Sequence, residues 1–172
     1  MLRVVGACCI LAGFGWFGFS KGDQFRKRQE ILRLLQNGMN LLETEISYGQ
    51  TPLPIALSRV AAKLKGDAQI PFTIAAQLLQ DCRGLTAAEA WEEGINSLNE
   101  VFPLHREEKS ILLLFGQGLG CSAREEQLKN ITLVREQLRM AEKTAEEARI
   151  KNQKMWQVLG ICSGGVLVLL LI

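Results

Sequence analysis

Gly13, Gly15 and Gly18 spell G-x-G-x-x-G, the spacing with which a strand-to-helix turn lets backbone amides hold a pyrophosphate. They stand inside an uncharged run, residues 4–20, with neither a strand before them nor a polar helix after them. Nucleotide binding is set aside on that ground. His105 is the only histidine, followed by Arg106, Glu107 and Glu108, and an imidazole can serve as a general base or a metal ligand. No serine or cysteine is placed as its nucleophile, and Glu107 and Glu108 are more simply explained as partners for the positive end of a helix starting there. The five cysteines, Cys8, Cys9, Cys82, Cys121 and Cys162, contain no Cys-x-x-Cys and no paired spacing, so neither a zinc site nor a disulfide framework is expected. The chain is read as non-enzymatic, with no catalytic residue, metal, cofactor or small-molecule substrate.

The remaining candidates are contacts. Glu43 and Glu45 end a long helical pattern and run into Tyr48 and Gly49. On an upright helix at 1.5 Å per residue they stand about 30 Å from its start, where a protein partner can reach them. Gly160 and Gly164 form G-x-x-x-G in the last apolar segment, a pattern that lets two helices meet backbone to backbone. Arg26, Lys27 and Arg28 suit anionic lipid heads, each basic group contributing about 1 kcal/mol near a membrane surface.

These residues need elements to hold them. The chain has 172 residues, 48% hydrophobic and 22% charged, with a net charge of +2. That composition excludes a disordered or collagen-like polymer and speaks against a nucleic-acid binder. The apolar residues are concentrated at the two ends. Residues 4–20 lie uncharged between Arg3 and Lys21, and residues 155–172 follow Lys151 and Lys154 without a charge. Both are read as transmembrane helices, the first at the short limit of the about 20 residues that a bilayer requires. A cleaved signal peptide would need small residues where Trp16, Phe17 and Phe19 stand. A lipidation site at Cys8 would have only seven residues before it. Lys21, Arg26, Lys27 and Arg28 on one side, and Lys143, Arg149, Lys151 and Lys154 on the other, flank the inner ends of the spans, so the middle of the chain is expected in the cytoplasm.

Between the spans apolar residues recur at three and four, the helical period. Leu32, Leu35, Met39, Leu42 and Ile46 predict a helix over residues 23–48. A second is expected over 54–65, burying Leu57, Val60, Ala61 and Leu64, and a third from Pro71 carrying Ile74, Ala75, Leu78 and Cys82. Thr86 and Glu89 make a capping box for a fourth helix with Ala87, Trp91, Ile95 and Leu98 inside. Pro103 opens a fifth, with Leu104, Ile111, Leu112 and Phe115 on one face, which Gly116, Gly118 and Gly120 are expected to stop. Ser122 and Glu125 then cap a last helix with the stripe Leu128, Ile131, Val134, Leu138, Ala141, Ala145 and Ala148. The expected fold is all-α: a six-helix cytoplasmic bundle (22–154) between an N-terminal span (1–21) and a C-terminal span (155–172), its first and last helices antiparallel.

Three stretches resemble the stage III sporulation protein AB family of endospore-forming bacteria. They are Leu42-Glu43-Thr44-Glu45-Ile46-Ser47-Tyr48-Gly49 running into Thr51-Pro52-Leu53, then residues 111–120 with Gln127 beyond, and Lys151-Asn152-Gln153-Lys154-Met155-Trp156 leading through Leu159-Gly160. Trp156 stands where an interfacial tyrosine is common in the family. The resemblance implies a part of the mother-cell complex that forms a channel to the forespore, similar to the inner-membrane platform protein of type II secretion and type IV pilus systems. It implies as partners a sporulation ATPase of the same complex and other membrane channel components, at the mother-cell membrane facing the forespore. The alternative is a membrane-anchored helical adaptor or sensor that binds a soluble signalling protein.

Overall fold

A computed structural model describes residues 26–48, 51–81, 84–120 and 124–171, with side chains in the last helix described for 125–152 and 155. Among these residues every regular element is helical. They are α1 (26–48), α2 (Leu53–Lys63), a 3-10 turn (Gly66–Gln69), α3 (Ile70–Gln80), α4 (Ala87–Val101), α5 (Arg106–Gln117) and α6 (Arg124–Leu171). The chain divides into two compact units, one of residues 30–142 and the other of the stretches on either side of it. In the second unit Ala145 is fully buried and the backbone of α6 stays helical to Leu171. Among the described residues no helix is long and apolar enough to cross a membrane. The span expected over 1–21 lies outside the described residues, as does the one over 155–172 apart from its helical backbone and Met155.

The unit of residues 30–142, called the body here, is built around three aromatic rings. Trp91 on α4 lies edge-to-face with Phe72 on α3 (centroids 5.1 Å apart) and with Phe115 on α5 (5.2 Å), the arrangement that ring quadrupoles favour. Its indole Nε1 donates to the Leu112 carbonyl at 2.7 Å, which satisfies the one polar atom that burial would otherwise strand. Glycines make the room. A Cβ on Gly116 would stand 2.6 Å from Trp91 Cδ1, one on Gly38 of α1 2.6 Å from the Phe72 ring, and one on Gly94 2.6 Å from the Pro71 carbonyl oxygen. Gly116, expected to stop α5, is therefore a buried notch inside it; α5 runs one residue further, and the turn beyond needs the left-handed backbone of Gly120 (φ 79°).

The apolar stripes expected on α1, α2 and α4 are buried in the main: Leu32, Leu35, Met39 and Leu42; Leu57, Val60 and Ala61 with Leu64 just past the helix; Trp91, Ile95 and Leu98. Ala87 is only half-buried, and Ala90 and Gly94 are inside instead. On α3 the face differs from the expectation. Phe72, Ala75 and Ala76 are buried while Ile74 and Leu78 are half-buried, and Cys82 lies outside the described residues. On α5 Leu112 and Phe115 are buried and Ile111 is half-buried, while the half-buried Leu104 precedes the helix, which starts at Arg106 and not at Pro103; on α6 Ile131, Val134 and Leu138 are buried, with Leu128, Ala141 and Ala148 half-buried.

Polar contacts fix how α1 and α6 pair. Gln36 Nε2 donates to Glu142 Oε2 (2.7 Å), and Arg135 Nη1 donates to Asn40 Oδ1 (2.7 Å) and Glu43 Oε2 (2.6 Å). As residue numbers rise on α1 they fall on α6, so the two helices are antiparallel, as expected. Residues 30 and 142 thus lie at the same end of the body.

Candidate partner-docking site

Glu43 and Glu45 are two residues apart on α1, about 200° around a helix, and each faces a different neighbour. Glu43 meets Arg135 of α6 at 2.6 Å with a third of its surface open. Glu45 is only 12% exposed and lies between two cations of α2, Arg59 Nη1 at 3.0 Å and Lys63 Nζ at 3.2 Å. The hydrogen bond from Arg59, then that from Lys63, holds its carboxyl below the ordinary glutamate range. Arg59 also reaches Thr51 Oγ1 at 3.4 Å.

The local sequence explains this arrangement. Pro52 precedes α2 and Pro54 sits in its first turn, where a missing amide costs nothing. Arg59 and Lys63 are then four apart, a like-charge pair that opposes an isolated helix by about 0.2–0.5 kcal/mol. One carboxylate supplied by α1 relieves both and ties the end of α1 to α2.

Tyr48, the last described residue of α1, is 87% exposed. Gly49 lies outside the described residues, and so do the surroundings of Gly160 and Gly164, whose backbone is helical. Of the four residues expected to meet a partner, Glu43 and Glu45 are engaged within the chain and Tyr48 is open to a contact. Sequence reasoning missed Arg59, Lys63 and Arg135. The basic pair at four-residue spacing in a segment without acids was a signal; the link from Glu43 to a residue 92 positions away left none.

Two other expectations concern caps. At Thr86 the capping box is present, with the Thr86 amide donating to Glu89 Oε2 (2.8 Å) and the Glu89 amide to Thr86 Oγ1 (3.2 Å), and the first of these holds the Glu89 carboxyl below its ordinary range. The Ser122 cap lies outside the described residues. His105 is the exposed residue before α5, and its amide donates to Glu108 Oε2 at 2.8 Å. This places Glu108 at the helix start. Among the described residues no three of His, Cys, Asp and Glu are grouped to hold a metal.

Comparison with known proteins bears on the whole chain. The model of the stage III sporulation protein AB family matches residues 3–172. The chain belongs to this family. Stage III sporulation protein AB of Bacillus subtilis (strain 168) is 34% identical over 171 residues, 99% of each chain. A solved structure of a stage III sporulation protein AB superposes with a TM-score of 0.67 at 30% identity, covering 73% of this chain and 98% of the other. The helical body and its ion pairs are thus those of a sporulation protein.

Proposed function

We propose that this family member is a non-enzymatic membrane scaffold of the channel complex between mother cell and forespore, linking a cytoplasmic ATPase to the membrane assembly as a secretion-platform component does. The observation that carries the reading is the family match over nearly the whole chain, including both apolar segments. The antiparallel pairing of α1 and α6 supports it, because the chain enters and leaves the body at one end. An apolar segment of suitable length follows in sequence on either side, each flanked by basic residues. The body then presents a helical surface to the cytoplasm, and its work is to hold partners rather than to turn over a substrate.

Co-purification tests this reading. The tagged full chain, extracted in mild detergent from membranes of sporulating cells, should bring with it the ATPase and other channel components. A chain that fractionates with the cytosol, or one that stays in the membrane and retains neither partner, overturns the reading.

A further inference from the structure

Between Glu45 and Asp67 the chain has no acidic residue, yet it carries Arg59, Lys63 and Lys65. Ile55, Arg59 and Lys63 follow one another at four-residue steps, which sets them on one stripe of α2. The opposite side of the helix, with Ala56, Leu57, Val60 and Ala61, fills the core. The stripe is open. Arg59 and Lys63 each keep 55% of their side-chain surface exposed, and Ile55 is 45% exposed. Tyr48, the last described residue of α1, precedes this helix by a few residues in sequence and is the most exposed of the large apolar side chains described. Aromatic and arginine side chains at an open surface are the types that anchor protein interfaces. The chain's own reply to the two cations is one carboxylate, Glu45, so one negative charge faces two positive ones and the stripe stays net positive.

We infer that this stripe of Ile55, Arg59 and Lys63, with the exposed Tyr48 at the end of α1 beside it in sequence, receives an acidic surface of the ATPase, and that Glu45 occupies the cations until the partner's carboxylates take them. The inference rests on the scaffold reading above and gives it a polarity: the partner brings acids, and Glu45 is a competitor for the site instead of a contact in it. Opposite charge at such a surface speeds encounter and excludes wrong partners, and its effect fades as salt rises.

The test uses the full chain in neutral phosphatidylcholine nanodiscs and the purified ATPase of the complex. Reversing both cations (Arg59→Glu with Lys63→Glu) is expected to weaken binding roughly tenfold or more at low ionic strength, and less at high salt. Glu45→Gln, which frees the same cations, is expected to tighten binding severalfold. Both variants break the same internal ion pairs, so a purely structural role would move both in one direction; opposite signs are the mark of docking. Binding within twofold of the unaltered chain after charge reversal, or weakened binding by Glu45→Gln, overturns the inference and leaves the scaffold reading standing. No binding by the unaltered chain overturns both. If the nanodiscs instead bind anionic vesicles through these two cations while ATPase binding is unchanged by their reversal, the stripe faces lipid and the inference falls.

Discussion

At the scale of single residues the body depends on glycines that make room for rings and backbone. Gly94 lies within α4, where alanine would ordinarily stabilise a helix by about 1 kcal/mol. Its missing Cβ would meet Pro71 backbone atoms at 2.6 and 2.9 Å, and a backbone cannot swing aside as a side-chain tip can. The overlap should therefore win, with Gly94→Ala costing about 1–3 kcal/mol in urea unfolding. Gly66→Ala makes the contrast, because nothing lies near its Cβ and only the left-handed backbone (φ 63°) opposes it; about 1 kcal/mol is expected there, and Gly66→Asn should recover part of it. A Gly94→Ala protein as stable as the unaltered one would show that α3 can retreat. Trp91→Phe keeps a ring between Phe72 and Phe115 but removes the bond to the Leu112 carbonyl, for an expected loss of about 1–3 kcal/mol by the same measurement.

At the scale of helices, periodicity was informative wherever a helix has a polar side. The stripes of α1, α2 and α4 could be read because charged residues mark the opposite faces. Helix α3 (Ile70–Gln80) has no charged residue at all, so spacing could not choose between the face of Ile74 and Leu78 and that of Phe72 and Ala76. The choice falls to shape, since Phe72 fits the notch at Gly38 and lies against Trp91. Ion pairs between helices were equally silent in sequence, and Glu43 and Glu45 looked like a shared surface until Arg135 and Arg59 separated them. The pairing has a pH consequence. Because Glu45 titrates lower folded than unfolded, its contribution is fully present above the ordinary glutamate value of about 4.3 and is lost as pH falls through the lower folded value. Thermal melts from about pH 7 to about pH 3 should thus show a smaller fall in Tm for Glu45→Gln than for the unaltered chain. A residual fall is expected, since Glu89 and Glu136 are held low as well, by Thr86 and Arg139. For the tie between α1 and α6, a double-mutant cycle of Glu43→Gln and Arg135→Gln should give a coupling of up to about 1 kcal/mol, as both side chains are about one-third exposed. A coupling of zero would leave the antiparallel register to the Gln36–Glu142 bond and to the buried Ile131, Val134 and Leu138.

At the scale of the whole molecule, sidedness decides what the body can touch. Entry and exit at one end of the body are what the proposed scaffold requires of two membrane attachments on one side of a bilayer, and under that proposal the basic residues beside both apolar segments would keep that side in the cytoplasm. The ATPase link stands or falls with this orientation. Tyr48 is the position from which to measure it, because it is 87% exposed, whereas Cys82 and Cys121 lie outside the described residues. A Tyr48→Cys chain with its five native cysteines replaced by alanine should react with a membrane-impermeant maleimide only after sporulating cells are permeabilised. At such exposure, failure to label reports the barrier and not burial in the fold. Labelling in intact cells would put the α2 stripe beyond the reach of any cytoplasmic ATPase, and the same exposed cations would then have to meet acidic groups of the channel outside the mother-cell cytoplasm.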